Sequence, residues 1–179
     1  MQNSFKFIKL LSLLLVFCFV NINYSKAECG FDGLTIGEKS SEAEGAFGEA
    51  NTENNIGIII VDPEEACPGE NLEQVSVEII ISEDEIAGFR FGSQSLKKED
   101  EDNEQSLYQY VAKNYGTIEG AENKNWTGHK IWEINGNKIV YSKIFFLKVF
   151  EEELIVTNSK FSDFFIDHDP DLDEPEEEQ

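Results

Sequence analysis

The chain has 179 residues, enough for one domain with a real core, and carries 36 acidic against 14 basic side chains for a net charge of −22. Such a surface repels nucleic acid and anionic lipid over a Debye length, excludes both as partners, and favours basic proteins, cations or plain solubility. Two histidines and three cysteines, with neither CxxC nor HxxxH spacing, exclude a zinc site, and no other metal or cofactor is expected.

Taken in chain order, Lys6 and Lys9 precede the apolar run Leu10 to Val20, and Ser25 and Ala27 stand at the −3 and −1 positions of a cleavage site. The run is too short to span a bilayer and predicts a signal peptide over 1–27. Cys18 follows Phe17 and Cys29 follows Glu28, so neither has the small preceding residue of a lipobox. The expectation is an exported protein, periplasmic or secreted, with no stable membrane anchor. Lys6, Lys9 and Lys26 leave with the leader, which puts the mature chain near −25. Cys29 and Cys67 are then the remaining pair, and in an oxidising compartment they predict one disulfide, worth about 3–4 kcal/mol by chain entropy.

The remainder predicts an exported domain over 28–166, in halves of about 28–95 and 104–166. The first half opens on a helix capped at Ser40 or Ser41, with Ser41 and Glu44 at capping-box spacing, Ala43, Ala46 and Phe47 on one face, and Gly48 as its stop. Strands follow at "NIGIIIVD", "EQVSVEIII" and "EIAGFRFG", the last two joined through "SEDE" as a hairpin. The run "KKEDEDNE" reads as part of an acidic linker over 96–103. The second half repeats the order: Leu107, Val111 and Tyr115 form a helix stripe ended by Gly116. Strands then come at "HKIWEI", "NKIVYSKIFFLKVF" and "ELIVTN". Asn135-Gly136 is a strong type I′ hairpin signal. Phe161, Phe164 and Phe165 point to a last turn of helix or to irregular packing against the sheet. The tail 167–179 is strongly acidic and predicts disorder. The fold class is α+β: two tandem helix-plus-antiparallel-sheet units sharing one sheet or packed side by side.

In both halves an aromatic-glycine pair, Phe47-Gly48 and Tyr115-Gly116, ends a helix where a strand is about to begin. Phosphate loops need strand, then glycines, then helix, so these are structural corners. The pattern "GLTIGEKSSEAEGAFGEA" followed by antiparallel strands resembles small exported bacterial α/β modules. These are the outer-membrane assembly lipoproteins of the BamE/SmpA type and the tandem modules of β-lactamase inhibitor proteins. The chain departs from the first in lacking a lipobox cysteine and from the second in having one candidate disulfide. The resemblance implies a binding or assembly role and transfers no functional residue.

No catalytic residue is assigned. His129, in "WTGHKIWEI", has no nucleophile or orienting acid at a readable spacing, and His168 sits among tail aspartates. Carboxylates are so numerous that no glycosidase-like pair stands out. Acids at Asp167, Asp169, Asp171, Asp173 and Glu178 echo an EF-hand ligand set, but Leu172 replaces the turn glycine. Trp126, Trp132, Tyr108 and Tyr110 are the candidate binding surface, and Asn125 opens a glycosylation sequon that has meaning only in a eukaryotic host. The functional expectation is a non-enzymatic module that binds another protein, one with a basic surface. The alternatives are a carboxylate-based hydrolase with a sheet-face cleft, or weak cation binding by the tail.

Overall fold

Period-two alternation builds the centre of the molecule. The computed structural model describes residues 29, 31–53, 55–96, 106–123 and 125–168. Its strands are β1 (Asn51–Glu53), β2 (Ile56–Val61), β3 (Val75–Ser82), β4 (Glu85–Leu96), β5 (Gly128–Ile134), β6 (Asn137–Phe146) and β7 (Val149–Asn158). They form a single seven-stranded sheet in the order β1-β2-β3-β4-β7-β6-β5, antiparallel throughout. The helices are α1 (Ser40–Phe47), α2 (Pro63–Ala66), α3 (Ser106–Asn114) and α4 (Ser162–His168). The class is therefore α+β with an antiparallel sheet. None of the described helices is long and apolar enough to cross a membrane.

Successive strand residues point to opposite faces, and two cores result. On the front face Ile59, Val77, Ile79, Phe91, Ile139 and Leu154 pack beneath Ala43 of α1 and Leu107 and Val111 of α3. On the back face Ile80, Ala87, Val140 and Ile155 pack beneath Phe161 and Phe165 at α4. Gly88 is what lets α4 come so close: a Cβ there would lie 2.6 Å from the Val156 carbonyl and 3.0 Å from the Phe165 ring. The corner glycines Gly48 and Gly116 hold φ of 102° and 116°, which side-chain-bearing residues rarely adopt.

Several local expectations differ. The α1 N-cap is Lys39, which makes no side-chain cap bond, so neither Ser40 nor Ser41 serves. The Ser40 backbone N–H donates instead to the Asp84 carbonyl, which fixes the helix start through the β3–β4 turn. Ala43 is buried and Phe47, one turn on, packs half-buried against the same core, but Ala46 is exposed, because it lies off the i, i+4 line that faces the sheet. The "SEDE" connection is a two-residue turn with Glu83 and Asp84 both at positive φ. The long run "NKIVYSKIFFLKVF" is not one strand. It reverses at Leu147-Lys148, which hold φ of 48° and 74° without any glycine or asparagine to announce a turn. Short β1 and α2 go unannounced as well, although Asp62 caps α2 by accepting from the Glu64 N–H at 2.8 Å, with Pro63 in its first turn.

The Cys29–Cys67 disulfide is present, with its Cα atoms 4.2 Å apart, and it ties the start of the described chain to the end of α2. Leu96, read as linker, closes β4, and Asp167 and His168, read as tail, belong to α4. The leader 1–27, linker residues 97–103 and tail residues 169–179 lie outside the described residues.

Candidate functional site

Register places Ser76 and Glu78 of β3, Arg90, Gly92 and Gln94 of β4, Glu151 and Glu153 of β7, Ser142, Ile144 and Phe146 of β6, and His129 and Ile131 of β5 on the back face. α4 covers only the other end of this face. Small side chains run through the middle of the uncovered part, and the floor at Ser76, Gly92 and Ser142 sinks into an open groove of about 620 Å³. The floor is closely fitted: the Ser76 hydroxyl donates to the Gly92 carbonyl at 3.1 Å, and a Cβ on Gly92 would lie 3.0 Å from that hydroxyl.

The walls are charged but internally tied. Arg90 Nε donates to Glu78 Oε2 at 2.7 Å, and Arg90 reaches toward Glu153 at 4.0 Å. Gln94 Nε2 donates to Glu151 Oε1 at 3.0 Å. One row across the sheet, His129–Ser142–Glu153, contains the residue types of a nucleophilic triad. Serine stands in the middle where histidine is required, so the carboxylate faces the hydroxyl and cannot orient the imidazole. As built, the row does not activate a nucleophile.

Beside the groove the β6–β7 hairpin projects. Its tip holds two apolar side chains open to solvent beside Lys148: Phe146 is 62 % exposed and Leu147 79 %. Its base is fixed from the front face. Phe145 packs on Phe150 with ring centroids 4.7 Å apart. One pair further down, Lys143 Nζ meets Glu152 Oε1 at 3.3 Å, both side chains nearly fully buried, and Lys143 also lies 4.9 Å above the Phe150 ring. Tyr141 completes this cluster. Its hydroxyl and Glu152 Oε2 are both buried without a hydrogen-bond partner of good geometry among the described residues. Burial first, and then the neighbouring Glu152 carboxylate, push the Tyr141 phenol far above its ordinary range.

The residues singled out from sequence are scattered across the front. Tyr108 and Tyr110 are buried, because their positions on α3 belong to its core stripe. Trp126 and Trp132 are half-buried against the same core, Trp126 stacked on Tyr141 at 6.2 Å and Trp132 tilted on Tyr115 at 6.4 Å. Asn125 is exposed, in the loop before β5. A smaller crevice of about 310 Å³ opens between Leu34, Tyr115 and Ile134, with the Cys29 end of the disulfide at its wall. Among the described residues no group of three or more histidine, cysteine, aspartate or glutamate side chains is placed to hold a metal ion.

Sequence reasoning missed the groove, the tip and the buried Lys143–Glu152 pair. The signal for the pair was available: in "IVYSKIFF" Lys143 falls two residues after Tyr141, on the inward side of the alternation. Comparison with family models, with curated proteins and with solved structures finds no match to this chain.

Proposed function

We propose that this is an exported, non-enzymatic binding or assembly module that engages a basic protein through the uncovered back face and the β6–β7 tip. One observation carries the proposal: the β6–β7 hairpin presents Phe146 and Leu147 to solvent beside an open groove. Apolar side chains displayed together at an edge of a polar surface mark interaction sites in soluble proteins. The anchored base and continuous β6–β7 register hold the tip ready, so little ordering cost falls on association. The acidity of the chain supplies attraction for a cationic partner. Export is supported by the leader-like first residues together with the disulfide.

Tandem origin of the halves belongs to the same proposal. Strand order supports it: β2-β3-β4 is mirrored by β5-β6-β7, and the third strands of the two meanders meet as β4 and β7.

The test is comparative capture from the host's own exported proteins, using the wild type and a Phe146→Ser/Leu147→Ser variant. The expected result is a basic protein retained by the wild type at low salt and lost with the variant. Equal capture by both, or capture of acidic proteins only, would contradict the proposed surface.

A further inference from the structure

The two edges of the sheet are treated differently. β1 is a three-residue edge, Asn-Thr-Glu, too short and too polar to template a partner strand. β5 is a seven-residue edge, Gly128–Ile134, with no proline and no bulge against β6, and its central Ile131 is 44 % exposed. Among the described residues nothing pairs with its outer side.

The register fixes which groups that outer side presents. The Asn135-Gly136 turn is a two-residue loop closing on Ile134 and Asn137. Such a loop closes on a hydrogen-bonded pair, so Ile134, Trp132, Lys130 and Gly128 turn their backbone groups to β6. His129, Ile131 and Glu133 turn theirs outward.

These outward residues are complementary to themselves. If two copies of β5 run antiparallel about a two-fold axis at Ile131, Ile131 faces Ile131 of the other copy and His129 faces Glu133 in both directions. Lys130 faces Trp132 on the opposite face of the ribbon. Every outward N–H then meets an outward C=O, giving about six new backbone hydrogen bonds in alternating ladder geometry. The cross-strand neighbours are an apolar pair, two acid–imidazole pairs and two cation–indole pairs, each a stabilising combination. The segment is also locally short of acid in a strongly acidic chain: Glu133 is the only carboxylate among its seven residues.

We propose that β5 is a homodimerisation edge, joining two copies of this chain into one continuous antiparallel sheet with the two back faces side by side. The occupant is a second copy because the register matches the strand to itself in both side-chain pairing and backbone hydrogen bonding. A single strand pair is a small interface, so the dimer is weak and concentration-dependent. The net charge of each copy opposes it, and added salt strengthens it by screening that repulsion. This sign is opposite to the one expected for the basic partner, so the two proposals can fail independently.

Sedimentation of the exported form of the protein over a concentration series tests it. The wild type is expected to move from monomer to dimer, with the dimer favoured by salt. Ile131→Pro deletes only an outward N–H, which an edge strand tolerates, and should weaken dimerisation about tenfold or more. His129→Glu sets carboxylate against carboxylate and Glu133→Lys removes both acid–imidazole pairs, so each alone should dimerise less than the wild type. An equal mixture of the two, which pairs the introduced glutamate with the introduced lysine, restores a dimer. The mixture keeps the proposal testable should the proline variant fail to fold. A wild type that stays monomeric to its solubility limit, variants that dimerise like the wild type, or a mixture that stays monomeric would overturn it.

Discussion

Replacing Leu147-Lys148 by Asn-Gly separates what the β6–β7 tip costs from what it does. Both residues hold positive φ, at 48° and 74°, in a turn whose preferred occupants are asparagine and glycine. Left-handed backbone costs a side-chain-bearing residue roughly 1–2 kcal/mol. Glycine at 148 removes that strain but returns about 0.5–1 kcal/mol to the unfolded chain as entropy. Asparagine at 147 removes part of it. The packing lost with Leu147 is small: the side chain is 79 % exposed, and even full burial of a leucine is worth about 1.5–3 kcal/mol. The balance is a stabilisation of about 1 kcal/mol, or a rise in Tm of about 2–4 °C for a domain of this size. Scanning calorimetry with urea titration measures it, and the same variant should lose capture of the basic partner. A Tm that stays put or falls would refute the reasoning, because the tip would then not be held in the backbone conformation that makes it a strained, exposed anchor.

Three further outcomes follow from the same structure. Reducing the Cys29–Cys67 disulfide, or replacing both cysteines by serine, should cost about 3–4 kcal/mol for cysteines 38 residues apart, and labelling of the unreduced, denatured protein should find neither thiol free. Lys143→Met leaves Glu152 buried without its partner and should cost about 3–5 kcal/mol in urea titration, while Lys143→Met/Glu152→Met should recover most of the loss. Tyr141 keeps its proton more tightly folded than unfolded, so its share of stability is intact below a phenol's ordinary value of about 10 and is lost as pH rises past it. Tyr141→Phe should therefore flatten the alkaline fall in stability, and near neutral pH should leave stability within about 0.5 kcal/mol of wild type, since the hydroxyl removed is buried without a hydrogen bond of good geometry among the described residues.

What was legible in the sequence follows from which interactions are local. Val75, Val77, Ile79 and Ile81 alternate because β3 buries that face, and Asn135-Gly136 carries its own backbone preference; both are readable within a few residues. The Leu147-Lys148 turn is not, because its sequence disfavours the conformation and the pairing of β6 with β7 enforces it over ten registered pairs. The α1 cap failed for a related reason: Ser40 is positioned by a bond from a distant turn. Tyr108 and Tyr110 look like binding residues when the helix is taken alone, and only the packing of α3 on the sheet buries them. The groove depends on Ser76, Gly92 and Ser142 meeting from three strands, a juxtaposition that no single stretch of sequence contains.

The central claim is that the β6–β7 tip touches another protein. A photo-crosslinking amino acid at position 147, expressed in the exporting host, tests that contact most directly, with the same probe at Thr35 on the opposite face as the control. The account predicts a single prominent adduct from position 147 to a protein of basic surface, weakened by salt and missing from Thr35. No adduct from position 147, or the same adducts from both positions, would contradict it.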